Sequence, residues 1–171
     1  MKRSRITQFF LLIGALFYLS IGHTQTVAIV GYNGTTGDGI SFVALQPLTS
    51  GTVIYFTDRE YISGADAFNT GEGVWSYTIP GSGMAMGDVV TFTETGTSTN
   101  VLTVACTSAS CGTFNLESGT ISLASTSAEG VYAYSDTDND PNNGVTEVYA
   151  ALISRSVFPA SDNPIADYPL G

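Results

Sequence analysis

The chain has 171 residues, of which 15 are Asp or Glu and only five are Lys or Arg, for a net charge of −10. An acidic surface of this kind repels phosphate backbones and anionic lipid, which argues against nucleic-acid and membrane-surface partners and makes divalent cations the natural counter-charge. Aromatic and β-branched residues are too plentiful for a disordered chain, and the length suits one domain with a real core.

The first element in chain order is a secretory signal. Lys2, Arg3 and Arg5 form a basic start, and the apolar run from Phe9 to Gly22 precedes the polar "HTQT". The run is short for a bilayer, which needs about 20 residues, so residues 1–25 read as a removed leader that leaves no membrane anchor. His23 and every Lys go with it. The mature chain then holds Arg59 and Arg155 against fifteen carboxylates, near −13, with no histidine. That composition excludes the Ser-His-Asp triad, the Cys-His pair, His-ligated zinc and a Lys-tipped phosphate loop.

From residue 26 onward the apolar residues fall in short β-rich runs: "TVAIVG", "ISFVALQ", "TVIYFTD", "VWSYTIP", "DVVTFTE", "VLTVAC", "TISLAS", "GVYAYS" and "VTEVYAALIS". Turn residues recur about every ten positions and no run carries a helical stripe. The pattern predicts an all-β antiparallel sandwich of about 8 to 10 strands over residues 26–157. Alternation places Trp75, Tyr77 and Ile79 on one face of their strand. It places Val148, Ala150 and Leu152 together on the inward face of the last one. Residues 158–171, rich in Pro and Asp, read as an extended tail or the start of a linker to further domains.

Several stretches carry candidate chemistry. "GTTGDG" at Gly34–Gly39 reads as a turn, since no helix follows whose N-terminus could hold a phosphate, and Asn33 begins a glycosylation acceptor pattern. In "TDREY", Arg59 sits at a strand end among acids, where it either binds a ligand carboxylate or sugar hydroxyls or forms a rim ion pair worth about 0 to 1 kcal/mol. Trp75, with Tyr61, Tyr55, Phe68 and Tyr77 near it in sequence, either stacks on a glycan or fills the core. Glu72, Glu94, Glu117 and Glu129 are available as a carboxylate pair for glycoside hydrolysis, which needs no histidine. Cys106 and Cys111 read as a disulfide that pins a small turn and contributes roughly 2 kcal/mol.

The acidic stretch "SDTDNDPNNGVTE" places carboxylates at positions 1, 3, 5 and 12 counted from Asp136, the ligand spacing of an EF-hand loop. Pro141 stands where that loop needs glycine, and the flanks read as strands. Two alternatives follow: a hairpin loop gathering Asp136, Asp138, Asp140, Asn142 and Glu147 around Ca2+, or a polar turn built from the residues that turns favour. Calcium is the one candidate ion, and no cofactor is required.

Four stretches carry a resemblance: "GYNGTTGDGISFVAL", "GTVIYFTDREY", "FNTGEGVWSYTIP" and "GMAMGDVVTF". Together they resemble a module near the front of exported bacterial surface proteins and, more distantly, the lamin-tail type of immunoglobulin-like sandwich. The resemblance covers about Val27 to Phe92. It implies a secreted or cell-surface location and a sandwich fold, with no catalytic residues to carry over. The functional expectation is a non-catalytic module for adhesion, scaffolding or presentation, with a glycan or a surface protein as partner. The alternative is a glycan-binding or carboxylate-based glycan-hydrolysing domain.

Overall fold

The computed structural model describes residues 25–35, 37–95, 102–123 and 129–154. The expected signal segment apart from Gln25, the expected tail and Arg155 lie outside the described residues.

The described chain is all-β, with two antiparallel sheets packed face to face. One sheet has the order β1 (Val27–Asn33), β2 (Gly39–Ala44), β7 (Val89–Glu94), β8 (Leu102–Cys106). The other has β11 (Glu147–Ile153), β10 (Gly130–Ser135), β3 (Val53–Thr57), β6 (Val74–Thr78), β9 (Thr113–Ser118). A separate two-stranded hairpin joins β4 (Tyr61–Ile62) and β5 (Ala67–Phe68). Eleven strands are therefore described, and the short hairpin accounts for the excess over the expected number.

Alternation explains the core between the sheets. Ile40, Phe42, Val90 and Phe92 from the first sheet meet Ile54, Phe56, Trp75 and Tyr77 from the second, each at most 1% exposed. Aromatic contacts cross the gap, with ring centroids 5.1 Å apart for Phe42 and Phe56 and 6.1 Å for Trp75 and Phe92. The expected grouping of Trp75, Tyr77 and Ile79 holds, since all three enter this core.

The second sheet is also covered on its outer face, which the strand pattern did not announce. Tyr132, Tyr134, Val74 and Val148 point outward there into a second apolar cluster under Tyr61 and Phe68 of the β4–β5 hairpin. Phe68 lies 5.0 Å from Tyr132 and 5.2 Å from Tyr134, ring to ring. Burying a side chain of that size contributes on the order of 2 kcal/mol, which anchors an otherwise marginal two-stranded hairpin.

Two expectations are corrected by this arrangement. Val148 and Ala150 do not share a face: Val148 joins the outer cluster and Ala150 the inter-sheet core. The cause is an irregularity between Ala133 and Tyr134, where the partners step from Ala150 to Val148 and leave Tyr149 as an extra residue in β11. A one-residue insertion of this type moves the following side chains to the opposite face.

The second correction concerns "TISLAS", whose described part, Thr120–Leu123, is not a strand, while "TFNLES" at Thr113–Ser118 is one. Ile121 and Leu123 are buried in the core and Ser122 is exposed, as strand alternation requires. Their backbone partners are carboxylates instead of a neighbouring strand: Ser122 N–H donates to Asp58 Oδ2 at 2.9 Å and Leu123 N–H to Asp38 Oδ2 at 2.8 Å. The segment is thus extended and strand-like in its burial, with two aspartates substituting for a β-ladder across one end of the sandwich.

Cys106 and Cys111 form the expected disulfide, with Cα atoms 5.6 Å apart, in the connection between the two sheets' edge strands β8 and β9. Gly112 follows it, and the chain passes so close to β6 there that a Cβ would lie 2.0 Å from the Thr78 carbonyl oxygen. The same close approach lets Gly112 N–H donate to the Tyr77 hydroxyl at 2.8 Å.

Candidate functional site

The densest polar assembly lies where β3 ends. Thr57 Oγ1 donates to the Gly73 carbonyl at 2.7 Å and accepts from Arg59 N–H at 3.1 Å, turning the chain sharply after the strand. Asp58 is 2% exposed; one carboxylate oxygen accepts from Gly73 N–H at 2.8 Å and the other from Ser122 N–H. Burial pushes its carboxyl above the ordinary range, while the N–H bonds from Ser122 and Gly73 and the adjacent Arg59 charge pull it back down.

Arg59 is 6% exposed and donates in three directions. Its Nε reaches the Glu72 carbonyl at 3.0 Å, one terminal nitrogen reaches Asn142 Oδ1 at 3.1 Å, and the other reaches Ser118 Oγ at 3.0 Å. The planar guanidinium fork suits this task, since one residue can satisfy oxygens from three separate segments. Asp58 and Arg59 therefore bind together the end of β3, the loop before β6, the segment after β9 and the loop before β11. The rim alternative for Arg59 is corrected: the residue is buried, and each of its three guanidinium nitrogens donates to one of the protein's own oxygens.

Trp75 is fully buried, and Tyr61 is 1% exposed with its hydroxyl donating to Asp66 Oδ1 at 3.2 Å. Neither ring offers a free face to a glycan. Trp75 packs edge-on to Phe92, and its indole nitrogen has no protein partner.

The acidic stretch is folded by its own carboxylates and fastened to the rest of the molecule. Asp136, Asp138 and Asp140 each accept from a backbone N–H one or two residues ahead: Asp136 Oδ1 from Thr137 at 2.6 Å, Asp138 Oδ1 from Asp140 at 3.1 Å and Asp140 Oδ1 from Asn142 at 3.2 Å. Successive side-chain turns of this kind fold the loop on itself. The loop is then strapped across the outer face of the second sheet. Phe68 N–H donates to the Pro141 carbonyl at 2.8 Å, Val145 N–H donates to the Asp66 carbonyl at 2.7 Å, and Asn139 Nδ2 donates to Glu117 Oε2 at 2.9 Å. Asn142 Oδ1 accepts from Arg59, and Glu147 lies in β11 opposite Ser135. Among the described residues no group of three or more His, Cys, Asp or Glu is disposed to hold a metal ion.

Of the four glutamates considered for hydrolysis, Glu72 stands in a strongly perturbed environment. It is partly buried, and its Oε2 is shielded from solvent without a protein partner. Desolvation, then the charges of Asp58, Glu60 and Glu129, raise its carboxyl from 4.5 to about 7, with Arg59 opposing them. Glu117 is elsewhere, accepting from Ser76 Oγ and Asn139. The crowding around Glu72 and the inward pull of Arg59 were missed in the sequence because they depend on loops more than ten residues apart. A faint signal existed in "TDRE", an acid and a cation placed just past a buried strand.

No protein-family model, no curated protein and no solved structure matches this chain.

Proposed function

We propose that the chain is a non-catalytic, secreted or cell-surface β-sandwich module for adhesion, scaffolding or presentation, of the immunoglobulin-like or lamin-tail-like type. The observation that carries the reading is the use made of the reactive side chains. Arg59 and Asp58 are buried and their hydrogen-bonding atoms are engaged by backbone and side chains of four segments. Their role is to hold loops in place. The acidic loop works likewise, its carboxylates folding it and its backbone fastening it over the outer sheet. What remains exposed is a stiff, acidic platform, which suits the display of loops and edges to a partner.

One observation favours the second reading, carboxylate-based glycan hydrolysis. Glu72 has a carboxyl raised to about 7 beside Glu60, Asp58 and Glu129, the type of environment that keeps a general acid protonated at neutral pH. A single experiment separates the two. The purified protein is incubated with a panel of oligosaccharides and the products are read by mass spectrometry, beside the Glu72→Gln variant. The display reading expects no turnover by either protein; turnover that disappears with Glu72→Gln establishes the hydrolase instead.

A further inference from the structure

The two sides of the sandwich differ. On one, β1 lies against β11 and β10, so the sheets meet. On the other, β8 and β9 are the last strands of their sheets, β8 pairing with β7 and β9 with β6 among the described residues. Leu102 and Val104 of β8 and Phe114 and Leu116 of β9 point toward the core but are only part-buried. Their counterparts on β2 and β7 are at most 1% exposed. A half-open apolar row beside strands with one unpaired edge is the arrangement that accepts an added strand, the backbone edge supplying affinity and the apolar row supplying specificity.

Charge decides which strand. Arg59 is the one cation among the described residues, and it is buried. On this side Glu117 of β9 lies on the outward face, opposite to Phe114 and Leu116, whereas Glu94 pairs with Leu102 and shares the inward face with Phe92. Glu117 is exposed, so an incoming segment meets negative potential and apolar surface together.

We propose that the β8–β9 side binds an extended partner segment in which apolar residues alternate with Lys or Arg. This deepens the display reading and rests on it. Its apolar side chains occupy the row formed by Leu102, Val104, Phe114 and Leu116, while its cations face outward, on the side of Glu117. Strand alternation provides that separation of faces without any further device.

The test uses the full protein and a labelled peptide of about eight residues alternating Val and Lys, the length of an ordinary strand. Fluorescence polarisation measures binding, and amide hydrogen exchange locates it. The expected results are binding that weakens as salt is added, and exchange slowed in 102–106 and 113–118. A further expectation is a loss of about tenfold or more in affinity when alternate peptide nitrogens are methylated or when Glu replaces Lys. Equal binding of all three peptides, or protection confined to other strands, overturns the proposal. So does a dimer seen by light scattering with these edges already protected, since the occupant is then a second copy. Cleavage of the peptide or of a glycan instead defeats the display reading, and the exchange map still reports on the edge independently.

Discussion

Replacing Glu72 by Gln tests the electrostatics of the loop-binding assembly most directly. The native carboxyl titrates near 7 against 4.5 for the ordinary group, because it is partly desolvated and faces Asp58, Glu60 and Glu129. A raised native value means that the folded protein binds the proton more tightly than the unfolded chain does. The associated stability is therefore fully present below about pH 4.5 and is lost as pH rises through about 7. The full difference corresponds to about 3 kcal/mol, and solvent screening of a side chain that is only partly buried reduces it to about 1 to 2 kcal/mol. Glu72→Gln removes the titration while keeping the shape. Urea unfolding followed by Trp75 fluorescence, from pH 4 to 9, should give equal stabilities for the two proteins at the acid end. The variant should then gain about 1 to 2 kcal/mol by pH 8, with the change centred between the two titration points. Asp58, Asp38 and Asp136 titrate in both proteins and largely cancel in the difference. A difference independent of pH, or a variant less stable at pH 8, would refute the reasoning.

Other perturbations reach different parts of the molecule. Arg59→Met leaves the Glu72 carbonyl, Asn142 Oδ1 and Ser118 Oγ without their donor, and should cost about 2 to 4 kcal/mol in urea unfolding; a loss under 1 kcal/mol returns Arg59 to the rim. Asp58→Asn replaces one acceptor oxygen by a donor facing Gly73 N–H or Ser122 N–H, and should destabilise by about 1 to 3 kcal/mol. Reduction of Cys106–Cys111 should lower stability by about 2 kcal/mol, read as a shift in urea midpoint with and without reductant. Trp75 emission should be blue-shifted, resistant to acrylamide and unmoved by oligosaccharide; ready quenching would place the ring at the surface. Because the carboxylates of 136–140 are engaged with backbone N–H groups, melting curves in chelator and in millimolar calcium should superimpose, whereas a rise scaling with calcium concentration would assign the loop a metal.

The strands were legible wherever burial alternated with the chain, as in Ile40–Phe42 and Trp75–Tyr77–Ile79. Legibility failed where one residue changed the phase. Nothing in "EVYAALI" marks Tyr149 as the extra residue, because the two alanines that follow it, Ala150 and Ala151, fit both faces. "TISLAS" shows the converse: the burial of its described part alternates as in a strand, but the N–H groups of Ser122 and Leu123 find side chains of Asp58 and Asp38, more than sixty residues earlier. The acidic loop displayed its turn chemistry in its composition. Its attachment to Phe68 and Arg59 is tertiary and leaves no local trace.

The joined side of the sandwich has a mechanical meaning. Tyr32, near the end of β1, shares a side-chain hydrogen bond with Ser154, just past the end of β11. The two strands therefore finish together, and the start of β1 lies at the far end of the molecule from the exit of β11. A tether pulling on residues 26 and 154 stretches the β1–β2 and β10–β11 ladders along their length, loading the cross-strand bonds simultaneously instead of peeling them one by one. Force is then resisted by whole ladders and by the aromatic layer behind them, so the rate of forced unfolding should fall well below that of the same domain pulled at the β8–β9 connection.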